Sequence, residues 1–253
     1  TDSAYFYGLY MARAKQGSVS VERLAATLSG EPWQRLMEDT KLGLDDDVSE
    51  SAMTSAAPDP FVSLSVRDLT YRYRDSTNGI DGVVLDIARG EFVVITGRIG
   101  SGKTTLLRTI LGLLPAERGT VLWNGEIVED PSTYLTPPRA AYTAQVPRLF
   151  SMSLEENLVL GAVLESGRLD ESIHIATMRH DIDMMPEGLQ TRIGPRGVRL
   201  SGGQVQRSAA ARMFARSPQL IVLDDVSSAL DVETEQMLWE RLFEARRDVA
   251  VLV

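Results

Sequence analysis

The chain has 253 residues, of which 43% are apolar and 24% charged, ordinary values for a globular protein able to bury a core. Its formal net charge of −9 lacks the Lys/Arg surplus that a phosphate backbone demands, so no nucleic-acid partner is expected. The absence of cysteine excludes disulfides and thiolate metal sites and fits a reducing cytosolic setting. No apolar run reaches the roughly 18 residues needed to span a bilayer, and no signal-peptide pattern is present.

Residues 1–43 open with the aromatic run Tyr5-Phe6-Tyr7-Gly8-Leu9-Tyr10. Val21, Leu24, Ala25 and Leu28 then recur at helical spacing, with Ser20 as a candidate N-cap and Gly30 and Pro32 as a stop. Residues 44–60 are acidic, small and Pro-punctuated, the composition of a linker. Residues 61–253 are the expected globular domain. The start at Thr1 and the end inside the apolar run Val249–Val253 suggest a piece of a longer protein.

Within the globular part, Val62, Leu64 and Val66 alternate, as do Leu69, Tyr71 and Tyr73. The parity changes between the two sets, which predicts a bulge or turn near Arg67-Asp68. Phe92-Val93-Val94-Ile95 and Leu220-Ile221-Val222-Leu223 are continuous apolar runs, as expected of strands buried on both faces. Strands alternating with helical patterns predict an α/β fold with a parallel sheet.

Immediately after Ile95 comes Gly97-Arg98-Ile99-Gly100-Ser101-Gly102-Lys103-Thr104-Thr105, which fits the Walker A pattern G-x-x-x-x-G-K-[ST]. Glycines let backbone N–H groups turn toward phosphate oxygens. A following helix, with Leu106, Ile110 and Leu113 on one side, aims its positive end at them. Lys103 supplies a cation to the β- and γ-phosphates, and Thr104 a hydroxyl to Mg²⁺.

A second segment, Leu200-Ser201-Gly202-Gly203-Gln204, starts a helix with Ser201 as N-cap and ends it at Ser217-Pro218. Followed by Val205-Gln206-Arg207, it resembles the signature motif of ABC (ATP-binding cassette) transporters. The resemblance covers about residues 61–253. It implies a P-loop NTPase cassette: a mixed β core with a parallel sheet, an antiparallel β subdomain and a helical subdomain at about 146–205. It implies ATP and Mg²⁺ as cofactors. It also implies that Ser201, Gly202, Gly203 and Gln204 meet the γ-phosphate held by a partner subunit.

Leu220–Asp224 resembles Walker B, whose aspartate, here Asp224, holds Mg²⁺ directly or through water. Gln145, between Walker A and the signature, resembles the glutamine that contacts Mg²⁺ and the attacking water. Tyr73 lies where the family places an adenine-stacking aromatic. Ser227-Ser228-Ala229-Leu230-Asp231 resembles the D-loop, so Asp231 is expected at the dimer interface. His174 and His180 are read as surface or packing residues, because the family's switch histidine would follow Val253.

Two departures stand out. The catalytic glutamate that normally follows the Walker B aspartate is replaced by Asp225. Its carboxylate is retracted by roughly 1–1.5 Å, and displacement of that order costs about 10²-fold in rate. This predicts a site that binds ATP well and hydrolyses it slowly, and a heterodimer whose partner carries the glutamate, with a homodimer as the alternative. Second, Thr191–Gly197 resembles the exporter stretch that touches the membrane domain, but Pro195 stands where an acidic residue is usual. The expected function is that of an exporter's ATPase domain at the cytoplasmic face of the plasma (inner) membrane, with residues 1–43 joining it to a membrane domain of the same chain. The alternative is a mainly ATP-binding partner, with hydrolysis carried by the other subunit.

Overall fold

Two apolar patterns in the sequence build two different sheets. The alternating residues form β1 (Ser63–Arg72), which pairs antiparallel with β2 (Gly79–Ala88) on one side and β4 (Arg118–Trp123) on the other; β4 in turn pairs with β5 (Glu126–Ile127). Both registers of β1 shift after Val66-Arg67, and Asp68 takes a φ of 52°, so the change of parity is a bulge. It lets Leu64 and Val66 before it, and Leu69 after it, face the same core. Gly119 is required there: its φ is 103° and an added Cβ would lie 2.5 Å from the Asp68 carbonyl oxygen.

The continuous apolar runs form the second sheet. β3 (Phe92–Val93), β6 (Ala140–Thr143), β7 (Leu220–Leu223) and β8 (Ala250–Leu252) are parallel, in the order β3-β8-β7-β6. Leu220, Val222, Ala250 and Leu252 face a core shared with the antiparallel sheet. Ile221, Leu223 and Val251 face a second core filled by helices. That two-sided burial explains why β7 and β8 read as unbroken apolar runs.

The computed structural model describes residues 59–74, 76, 78–194, 197–225 and 230–253, all within the unit Ala57–Val253. The helical reading of residues 1–43, all but the last two residues of the 44–60 linker, Pro195, and Ser227–Ala229 of the D-loop lie outside the described residues. The helices are α1 (Lys103–Ile110), α2 (Pro131–Tyr134), α3 (Leu154–Val159), α4 (Arg168–Ile175), α5 (Arg179–Asp183), α6 (Gly202–Ala215) and α7 (Val232–Ala245). Helix α1 packs Leu106, Leu107 and Ile110 under the antiparallel sheet. Helices α3 to α6 supply Leu158, Ile173, Ile182 and Phe214 to the other core. This is the mixed α/β cassette expected from the sequence.

Two local expectations fail. Phe92–Ile95 is not buried on both faces: β3 is an edge strand, Phe92 is exposed beside Trp239 and Phe243, and Val94 opens onto a cleft. Leu113 does not extend the apolar side of α1. The helix stops at Ile110, Gly112 turns left-handed with a φ of 69°, and Leu113 is 53% exposed. The predicted helix from Ser201 is observed, with its last helical residue at Ala215.

Candidate nucleotide site

The backbone at Gly102 sets the site. Gly102 caps α1 at a φ of 95°, and an added Cβ would lie 3.0 Å from the Gly79 carbonyl oxygen. Only glycine admits both the dihedral and the close approach of β2. The loop therefore folds over the N-terminus of α1, where unpaired N–H groups and the helix dipole favour an anion. Lys103 Nζ donates to the carbonyls of Gly97 (2.9 Å) and Arg98 (3.3 Å), so it spans the loop as a cationic strut. Gly97 and Arg98 contribute through these carbonyls.

The end of β7 brings the acidic residues to the loop. Asp224 is buried; its Oδ1 accepts from Thr104 Oγ1 (2.8 Å) and its Oδ2 from the Tyr142 hydroxyl (3.1 Å). Asp225 follows with a φ of 58°, the left-handed region, which aspartate tolerates better than most residues. Its Oδ2 accepts from Gln145 Nε2 at 3.0 Å. Gln145 is itself held at the end of β6, where its carbonyl accepts from Gln206 Nε2 of α6 (2.7 Å).

These groups surround one cleft of 800 Å³. Ile99, Gly100, Ser101, Gly102 and Lys103 form one wall. Thr104, Thr105, Gln145, Asp224 and Asp225 line its floor and far side. Tyr73 also lines it; the residue is 40% exposed and its hydroxyl shares a 3.2 Å hydrogen bond with Thr105 Oγ1. Tyr71, near the end of β1, meets the Tyr73 ring edge-on at 5.0 Å and does not line the cleft. A glycine-rich loop, a lysine and an exposed aromatic thus face a common space, with carboxylates opposite. That arrangement can hold a nucleotide triphosphate. Its oxygen donors from Thr104, Asp224 and Gln145 suit a hard cation such as Mg²⁺, which takes few protein ligands when phosphates and water fill its shell.

The signature residues stand elsewhere. Ser201 and Gln204 form a reciprocal capping box at the start of α6: Gln204 N donates to Ser201 Oγ (3.2 Å), and Ser201 N donates to Gln204 Oε1 (2.9 Å). Gln204 Nε2 also donates to Asp181 (3.0 Å), which pairs with Arg207 at 2.8 Å; both of those side chains are largely buried. Ser201, Gly202, Gly203 and Gln204 do not line the cleft. Nor does Asp231, which caps α7 by accepting from Thr234 N at 2.9 Å; that bond holds its carboxyl below the usual range. His174 and His180 are exposed, away from the cleft.

Sequence reasoning missed three contributors. Tyr142 bonds Asp224 across two neighbouring strands, a pairing that only strand order reveals. Burial pushes its hydroxyl up from the ordinary tyrosine value. Asn157, fully buried, holds the loop after Gln145: its Oδ1 accepts from Phe150 N (2.7 Å), and its Nδ2 donates to Phe150 O (3.0 Å) and Ser153 O (2.9 Å). Asp181 anchors the signature helix. A second concavity of 610 Å³, mainly apolar, runs along the β6 edge between Leu113, Pro147 and Met213.

Comparison with known proteins gives the family. The ABC transporter family is matched over residues 80–228. The chain is 34% identical over 191 residues to a putative multidrug export ATP-binding/permease protein, YgaD, of Bacillus subtilis (strain 168), covering 74% of this chain and 33% of that protein. It is 34% identical over 186 residues to a putative export ATP-binding/permease protein of Rickettsia felis, covering 73% and 32%. A solved bacterial Atm1-family ABC exporter with ATP bound superposes with a TM-score of 0.68 at 26% identity, over 76% of this chain and 34% of that one. The chain thus spans about a third of the relatives it matches. A Walker-type cleft, a capped signature helix and a family match over more than half its length place this chain in the ABC transporter family, as an ATP-binding cassette homologous to those of export proteins.

Proposed function

We propose that this cassette binds Mg·ATP between its own Walker motifs and a partner's signature helix, and that hydrolysis drives export of a substrate through a membrane domain. The observation that carries this reading is the split of the motifs: one cleft is lined by Lys103, Thr104, Gln145, Asp224 and Asp225, while Ser201–Gln204 does not line it. A second copy of such a surface supplies what each cleft lacks. In the closed site Thr104 and Asp224 hold the cation, Gln145 and Asp225 orient the attacking water, and Lys103 neutralises charge on the transferred phosphoryl group. Tyr73 stacks on the base, and Asp231 sits near the dimer seam.

Export rests on the ATP-binding/permease relatives, in which the matched cassette is about a third of the protein. The apolar groove along β6 offers a surface for the membrane domain. Among the described residues no helix is long and apolar enough to cross a membrane. The reading places the cassette at the cytoplasmic face of the inner membrane.

Asp225 supports a heterodimer with one slow site. Its carboxylate reaches Gln145 but is one methylene short of the glutamate usual there, so the partner would carry the faster chemistry. The test is steady-state ATP turnover of the intact protein, alone and with its partner subunit. Turnover only in the mixture, raised by Asp225→Glu, supports the asymmetric pair. Full turnover by the protein alone, unchanged by Asp225→Glu, makes it a homodimer in which aspartate suffices.

A further inference from the structure

The Walker B carboxylate is held from both sides by groups whose hydrogen bonding runs one way. Asp224 Oδ1 accepts from Thr104, and Oδ2 accepts from the Tyr142 hydroxyl at 3.1 Å. Arg108 Nε, on the last turn of α1, lies 3.4 Å from that same hydroxyl. A guanidinium has no acceptor, so the tyrosine oxygen must accept from Arg108. An ionised carboxylate has no donor, so the hydroxyl proton must point to Asp224. The chain Arg108→Tyr142→Asp224 has a single polarity, and it begins on the helix whose first turn carries Lys103 and Thr104.

From this arrangement we infer that Tyr142 is a positioning residue: it locks the Asp224 carboxylate in the rotamer that presents Oδ1 to Thr104 and the cation, and Arg108 fixes the direction of its hydroxyl. The inference rests on the reading of the cleft as an Mg·ATP site. Without the hydroxyl, Oδ2 has no donor on that side, and the buried carboxylate can rotate away from the Thr104 side. Groups that orient ligands from behind typically change metal affinity about 10- to 100-fold when removed. A lever acting through a single hydroxyl belongs at the lower end.

Tyr142 also lines the apolar groove along β6, and its ring atoms are not part of the bonding to Asp224. Tyr142→Phe therefore keeps the packing and deletes only the hydroxyl. The experiment uses the intact protein and a fluorescent ATP analogue. Binding is measured first in EDTA and then against rising Mg²⁺, with the Mn²⁺ resonance spectrum of the ternary complex as a second readout. Tyr142→Phe is expected to raise the Mg²⁺ midpoint about tenfold, broaden the Mn²⁺ signal, and leave metal-free nucleotide binding within about twofold. Arg108→Gln is expected to move the midpoint the same way by a smaller factor. An unchanged Mg²⁺ midpoint in Tyr142→Phe, or an equal loss of metal-free binding, overturns the positioning role. Failure of the parent protein to bind the analogue with or without Mg²⁺ instead overturns the reading of the cleft.

Discussion

At the scale of single residues, the cleft is defined by short side chains whose bonds leave little freedom. Thr104, Asp224, Gln145 and Asp225 are linked in pairs at 2.8 and 3.0 Å. These bonds fix the four side chains relative to one another. Asn157 shows how such order is maintained at a distance. Its amide holds Phe150 through both backbone groups, and Arg212 Nη2 also donates to its Oδ1 at 3.2 Å. Asn157→Ala removes the bonds to the part-buried Phe150 N–H and carbonyl and to the Ser153 carbonyl, each worth about 1 kcal/mol. Chemical denaturation is expected to show a loss of about 3 kcal/mol, with the loop after Gln145 the first segment to lose hydrogen-exchange protection.

At the scale of elements, helix ends carry the function. Helix α6 begins with a capping box, so Ser201 and Gln204 satisfy each other while the Gly202 and Gly203 amides remain at the positive end of the helix. Ser201→Ala removes one half of the box and is expected to cost about 1 kcal/mol of stability. Helix α7 is capped by Asp231, whose carboxyl is held below its ordinary value of 3.8 mainly by the Thr234 amide. A depressed carboxyl contributes stability above its unfolded value and loses it as pH falls through its folded value. The stability gap between the parent protein and Asp231→Ala is thus expected to be constant near neutral pH and to narrow progressively below about pH 4. Thermal midpoints measured from pH 7 to pH 3 check this; a gap as wide at pH 3 as at pH 7 contradicts the cap.

At the scale of the whole molecule, β7 is the hinge of the design. Its residues alternate between the two cores, so each side chain is buried whichever way it points. Ile221→Ala opens a cavity between sheet and helices and is expected to cost about 3–4 kcal/mol in equilibrium unfolding. The separation of cleft and signature predicts a functional division as well. Gly202 has no atom within 4 Å of an added Cβ, so Gly202→Asp fits locally but places a negative charge at the proposed anion site. ATP binding by a single subunit is expected to survive Gly202→Asp, whereas ATP-driven dimerisation, followed by light scattering, is expected to be lost. Loss of both would mean that the signature acts within its own subunit.

The sequence alone determined what depends on local geometry. The Walker loop was legible because glycine spacing and lysine follow from backbone contact with phosphate. The Ser201 cap of α6 was legible because a serine just before a helix can accept from its first free amides, whereas the reciprocal bond from Gln204 came from the structure. The strand at 220–223 was legible because two-sided burial leaves no polar position. The tertiary structure decided what depends on strand order. It set β3 at an edge, so an apolar run of the same appearance stayed partly exposed. It brought Tyr142 beside Asp224, 82 residues away in sequence, and Asn157 beside Arg212. Motifs are written by contacts within a few residues, whereas the partners that hold them in place are chosen by which strands and helices become neighbours, and periodicity along one chain does not encode that choice.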